Sequence, residues 1–260
     1  MKKFLCTLIS CLFAACGGSE DSMSTGLEFA ATPEKAKEQI DKGYNVVMSV
    51  GFLTDGYKLL SNAESILEDS IKNYPNLYQS QRLKIAIADE LFWVNGQVAK
   101  DKKERFDKVL EVKELIRKRL PDIEIGIDFN PEVWYNDSEV WQYILESQHH
   151  VDWLAINIYF WNFSQVDQKL GDALKFRRRV SKPTILVVQG FAPLDCTFDD
   201  DCHFKYNEAM RKLNLISKTY NHALIWSWNG PKENEEKLVF GEHFPNRFKE
   251  IYARWKQSGQ

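Results

Sequence analysis

From Asn45 onward the chain alternates between two kinds of segment, and this alternation constrains its fold more than any other feature. Short continuous apolar runs, most of them rich in Val and Ile, occupy Asn45–Phe52, Leu83–Trp93, Ile123–Asn130, Val151–Trp161, Pro183–Phe191 and His222–Gly230. Between and around them lie longer stretches with helical periodicity, at Pro33–Asp41, Tyr57–Asn73, Asp101–Arg119, Ser138–Gln148, Ser164–Val180, His203–Thr219 and Phe244–Lys256. Continuous apolar runs suit strands buried on both faces of a parallel sheet. Parallel neighbours joined through helices require right-handed crossovers. A weaker strand is expected near Leu27–Ala31. An eight-stranded barrel takes about 250 residues, and the chain has 260. The expected fold is therefore α/β: a (β/α)8 TIM barrel, abbreviated or with an irregular first strand, filling one domain over 27–260. A doubly wound open sheet is the rival, but it would carry a glycine-rich loop after its first strand. No GxGxxG or GxxxxGK[ST] occurs, so no nucleotide or other cofactor is expected.

The first residues stand outside that fold. "MKKFLCTLISCLFAAC" places Lys2 and Lys3 before an apolar run from Phe4 to Phe13, then small residues before Cys16. This reads as a secretory signal over residues 1–15, too short to span a bilayer permanently. "FAAC" followed by "GGSEDS" resembles a bacterial lipobox. That resemblance implies lipidation of Cys16, a tether over 16–26, and export to a membrane-anchored position. Two of the five cysteines, Cys196 and Cys202 in "DCTFDDDC", then remain in the expected domain. In an oxidising compartment they are expected to form a disulfide. Asp199, Asp200 and Asp201 between them read as a solvated acidic loop rather than a calcium site, and no metal site is expected. The net charge of -3 and pI near 6.0 give no electrostatic reason to expect nucleic acid. Eight Trp, ten Tyr and sixteen Phe exceed what a core of this size needs. Exposed aromatic faces stack on the C–H face of sugar rings.

In such barrels the reactive groups sit at the C-terminal ends of the strands. The polar residues there are Asp89 and Glu90, then Asp128, Asn130 and Glu132, then Asn157 and Tyr159, then Gln189, and last Trp226, Trp228 and Asn229. Asn157 and Tyr159 share parity and can both point into the barrel, as can Trp226 and Trp228. His149, His150 and Tyr135 lie near helix ends and are expected to face solvent. Acids with an amide, a tyrosine and tryptophans equip a carbohydrate site. Glycoside cleavage needs a proton donor to the leaving oxygen and a second carboxyl, about 5–5.5 Å away as nucleophile or about 6.5–9.5 Å away as base for water.

These fragments resemble the (β/α)8 glycoside hydrolase superfamily over most of the chain from about Asn45. "IAIADE" is similar to the strand carrying the acid/base glutamate of the retaining clan, which usually reads Asn-Glu. It is also similar to the "ADEP" strand of other glycosidase-like barrels, with Leu91 where those have proline. "VDWLAINIYFW" resembles the strand that brings a tyrosine near the sugar. "IWSWNG" resembles the last strand, whose tryptophan floors a subsite. "IGIDFNPE", Ile125 to Glu132, is similar to the central strand of chitinase-type barrels, with Ile125 in place of its first acid and Pro131 before Glu132. In "SKPTILVVQGF" the resemblance to the retaining clan implies a nucleophilic glutamate where this chain has Gln189, and an amide cannot fill that role.

The resemblance implies Glu90 as general acid, with Asp128 or Glu132 as its partner. Asp89, Asn130, Asn157, Tyr159, Gln189, Trp226 and Trp228 are expected to contact substrate. Three readings follow. One is a hydrolase of poly- or oligosaccharides working by an inverting or substrate-assisted route. Another is a non-catalytic glycan-binding lipoprotein on the same scaffold. The third is an interaction lipoprotein whose pocket holds no ligand.

Overall fold

The computed structural model describes residues 27–94, 97–130, 137–160, 162–189 and 200–226. The expected signal, tether and Cys16 lie outside these residues, as do the helix expected at Phe244–Lys256, Tyr135, Glu132, Trp228, Asn229 and Cys196. Strands and helices alternate as β1 (Leu27–Ala30), α1 (Pro33–Asp41), β2 (Asn45–Ser49), α2 (Ala63–Asn73), β3 (Leu83–Ala88), α3 (Lys102–Arg119), β4 (Glu124–Phe129), α4 (Ser138–Ser147), β5 (Trp153–Ile158), α5 (Val166–Arg179), β6 (Thr184–Gln189), α6 (Asp200–Ser217) and β7 (His222–Trp226). The strands pair in parallel in chain order. The ring closes where β1 pairs with both β2 and β7, the latter through Leu27 and Leu224. The ring has seven strands among the described residues, the six apolar runs and the weak strand near Leu27, and so fits the abbreviated form of the expected barrel.

Two expected segments are shorter than their periodicity suggested. The helix foreseen from Tyr57 starts at Ala63, because Thr54–Asp55 and Lys58–Leu59 pair as an antiparallel hairpin. The apolar run Leu83–Trp93 leaves the barrel at Ala88, and Trp93–Val94 pairs with Gln97–Val98 in a second hairpin. Both hairpins follow the C-terminal ends of strands.

Continuous apolar runs form these strands because each is covered on two sides. All six residues of β5 are buried. Alternate strand residues face outward onto the helices. There Ile85, Ile125, Ile127, Leu154 and Ile156 join the stripe Phe106, Val109, Val112 and Ile116 of α3, which repeats at helical spacing. The other set faces inward and forms a separate apolar cluster of Leu27, Val47, Ala86, Trp153, Ala155, Ile185 and Val187, with Phe29 and Tyr159 against it. The lumen is thus packed with side chains, as in barrels of this kind.

Helix starts follow local chemistry. Thr32 caps α1 with Pro33 in its first turn, and Asp137 accepts from the amides of Glu139 and Val140 at the start of α4. Cys202 in α6 is buried and disulfide-bonded, and its partner lies outside the described residues. No described helix is long and apolar enough to cross a membrane.

Candidate active site

A β-bulge in β3 decides which acid enters the lumen. Ala86 pairs with Gly126 of β4, but the next registered pair is Ala88 with Ile127. Ile87 is therefore the extra residue, and it and Ala88 both pack on the outer cluster. Strict alternation from Ala86 would have put Ala88 and Glu90 inside. After the bulge, Asp89 comes level with Asp128, and both line a lumen cavity. Bulges commonly re-aim a side chain in this way beside functional sites.

Glu90, the next residue, adopts φ 48°. This left-handed conformation costs a non-glycine residue about 1–2 kcal/mol, and such strain concentrates at functional sites. The turn carries the Glu90 carboxylate over β4 and β5. Its Oε1 accepts from Asn130 Nδ2 at 3.2 Å and from Asn157 Nδ2 at 2.8 Å. The same Asn157 nitrogen donates to Asp128 Oδ2 at 3.2 Å. The nearest oxygens of Glu90 and Asp128 are thus held within about 6 Å, a tighter spacing than the water-filled gap of an inverting pair. Asn157 is 0% exposed. It was expected to contact substrate, and the structure places it beneath the carboxyls as the bridge between them.

Asp128 is 8% exposed. Burial, followed by the neighbouring Asp89, its hydrogen bond with Asp89, and Glu90, pushes its pKa well above the ordinary carboxyl range, against the opposing pull of Asn157. Two carboxyls in hydrogen-bond contact must share at least one proton, because two ionised carboxylates have no donor between them. Burial favours the protonated form at Asp128, the less exposed member. In that form a carboxyl is neither nucleophile nor base.

The cavity beneath is small, about 20 Å³, and apolar apart from Asp89, Asp128, Tyr159 and the indole N–H of Trp153. It has room for about one water. Trp153 and Phe29 were not among the expected site residues. The available signal was parity, since Trp153 stands four residues before Asn157 and six before Tyr159 on the same side of β5. Trp153 is 2% exposed, and its Nε1 has no hydrogen-bond partner among the described residues. It lies flat over Gly126, whose missing side chain makes room for the ring. Tyr159 is half-buried on the cavity wall.

Gln189 and Trp226 end β6 and β7 as paired neighbours. The structure thus brings the ends of these strands together, while the orientation of both side chains lies outside the described residues. His149 is exposed, and His150 is half-buried with its ring beside Glu146 and edge-on to Phe106. Among the described residues no group of three His, Cys, Asp or Glu is arranged to hold a metal ion.

No family model matches the chain, and no curated protein does. Solved structures do. The GH53 catalytic domain of Ignisphaera aggregans superposes with a TM-score of 0.51 at 15% identity, covering 80% of this chain and 71% of that one. An endo-beta-N-acetylglucosaminidase from Cordyceps militaris matches with a TM-score of 0.47 at 10% identity, covering 90% and 81%. At such identities the likeness is one of fold, and the first of these neighbours carries it: the chain shares the barrel fold of that catalytic domain.

Proposed function

We propose that this protein is a glycoside hydrolase acting on a poly- or oligosaccharide, with Glu90 as the general acid. The observation that supports this most is the strained Glu90, clamped by two amides beside the Asp89–Asp128 pair at the C-terminal end of the barrel. Strain of this kind is retained where the carboxyl must be aimed. The usual retaining double displacement is disfavoured, because burial and the neighbouring carboxyls raise the Asp128 pKa and position 189 is an amide. Single displacement by water needs a proton donor and a carboxylate base for that water, while a substrate-assisted route needs the proton donor and a group of the substrate as nucleophile.

The N-terminal sequence supports export and anchoring through a lipid on Cys16, which would hold the barrel at a membrane surface facing its glycan. Mass analysis of wild type and Cys16→Ala tests this, with the acyl mass expected on the first alone.

Glu90→Gln tests the catalytic reading. Turnover of a polysaccharide panel, followed by new reducing ends, should fall about 10²–10⁴-fold while glycan binding persists. Equal turnover in the two proteins would remove Glu90 from the chemistry. One observation favours a second reading, a glycan binder without turnover: the buried Asp128 offers no ionised partner to Glu90. Binding to the panel with no turnover by wild type would establish it.

A further inference from the structure

The hydrolase reading leaves open which carboxyl partners Glu90, and the geometry of the bulge answers it. Asp89 and Asp128 reach the lumen from neighbouring strands and line the same cavity. Asp128 Oδ2 accepts from Asn157, while its Oδ1 is buried with no donor to accept from among the described residues. That oxygen is satisfied if it carries a proton and donates to Asp89. Asp89 is exposed and Asp128 is not. Water can solvate a charge on the first only, so the pair is asymmetric. Of the groups facing the pair, Glu90 is a third carboxyl, while Asn130, Asn157 and Tyr159 are neutral. The described cavity wall contributes no Lys or Arg.

We propose that Asp89 is the ionised catalytic carboxylate of this site, the base for the attacking water, and that Asp128 is a protonated positioning residue whose hydroxyl donates to Asp89. In the step so assigned, Asp89 takes one proton from water as the water oxygen bonds to the anomeric carbon. The bond from that carbon to the leaving oxygen breaks, and the electron pair left on that oxygen takes the proton of Glu90. Glycoside and water become a hemiacetal and an alcohol. Asp89 then returns its proton to solvent and Glu90 regains one.

The assignment rests on the hydrolase reading, and two amide substitutions test it. In Asp128→Asn the new N–H replaces the hydroxyl as donor to Asp89, and the amide oxygen still accepts from Asn157. Turnover should stay within about tenfold of wild type. In Asp89→Asn the base is gone, and turnover should fall about 10²–10⁴-fold. The acid limb of the kcat/KM pH profile should survive in Asp128→Asn and vanish in Asp89→Asn. Thermal melts establish that both variants fold.

A readout independent of activity is the infrared carbonyl band of protonated carboxyls at neutral pH. The component from Asp128 should be present in wild type and Asp89→Asn and lost in Asp128→Asn, where only that of the general acid Glu90 is left. Loss of turnover in Asp128→Asn as severe as in Asp89→Asn, or a band of undiminished intensity in Asp128→Asn, would overturn the assignment. If wild type turns over no member of the panel, the hydrolase reading fails and takes the base role with it, while the band alone still decides where the proton resides.

Discussion

Gly126→Ala is the sharpest test of how the lumen is built. A Cβ at this position would lie 2.0 Å from Trp153 Cδ2 and 2.3 Å from both Cε2 and Cε3. Ordinary carbon contacts begin near 3.5 Å, so the ring must move by more than an ångström. It has nowhere to go. Trp153 is 2% exposed and packed among Ala86, Ala155, Ile185 and Val187. Overpacking a filled core costs about 1–3 kcal/mol, and the backbone position of the new methyl places this case at the upper end. Removing a glycine from a strand returns about 0.5–1 kcal/mol. The net loss should be about 2–2.5 kcal/mol. With a urea slope of about 2–3 kcal/mol per molar, the unfolding midpoint followed by tryptophan fluorescence should fall by about 1 M. Trp153→Leu alone is expected to destabilise by leaving a cavity. In the Gly126→Ala background it should cost far less, because the two changes share one volume and their effects do not add. A Gly126→Ala protein as stable as wild type, or strict additivity of the two substitutions, would refute the packing described.

Three further predictions follow from the site and its surroundings. Asp128 is protonated in the folded protein at pH values where an unfolded carboxyl, near pKa ~3.9, is ionised. Its contribution to stability is therefore fullest below that value and is lost as pH rises toward its raised folded value. Melting temperature against pH should show this decline in wild type, and Asp128→Asn should be flatter and more stable at neutral pH. A parallel pair of curves would contradict a neutral Asp128. Asn157→Leu removes the donor shared by Glu90 and Asp128. It should cost about 2 kcal/mol, the scale for hydrogen bonds to charged groups, in chemical denaturation, with loss of turnover. No change in either would show that the bridge is dispensable. Tyr78→Phe breaks the buried 2.6 Å hydrogen bond with Ser70 and should cost about 1 kcal/mol, measured as a midpoint shift with activity intact. Burial also pushes the Tyr78 phenol up to about 12, so no tyrosinate absorbance from this residue should appear in the folded protein at pH 10.

Much of the architecture was legible because it rests on local periodicity. Pro33–Asp41 forms the helix its pattern marked, and the weak strand near Leu27–Ala31 is the one that closes the ring. The run through Trp93 was misjudged in length because Leu91 and Phe92 are buried in the outer core although they have left the strand. Apolar composition reports burial, not pairing. The site was legible as a set of strand ends: Asp89, Glu90, Asp128, Asn130 and Asn157 do meet. Their roles were not legible, because a role depends on depth and neighbours.

By itself, the sequence determined that short apolar runs would pair in parallel with helices outside, and that the polar residues would gather at one end. Both follow from the spacing of apolar residues along one chain. Only the tertiary structure decided that seven described strands close the ring, that one extra residue at Ile87 turns Asp89 inward, and that Asp128 is buried beside two other carboxyls. A bulge is set by how two distant strands register. A carboxyl's charge is set by how much water and how many other charges surround it. Both depend on residues far apart in the chain and adjacent only once it has folded.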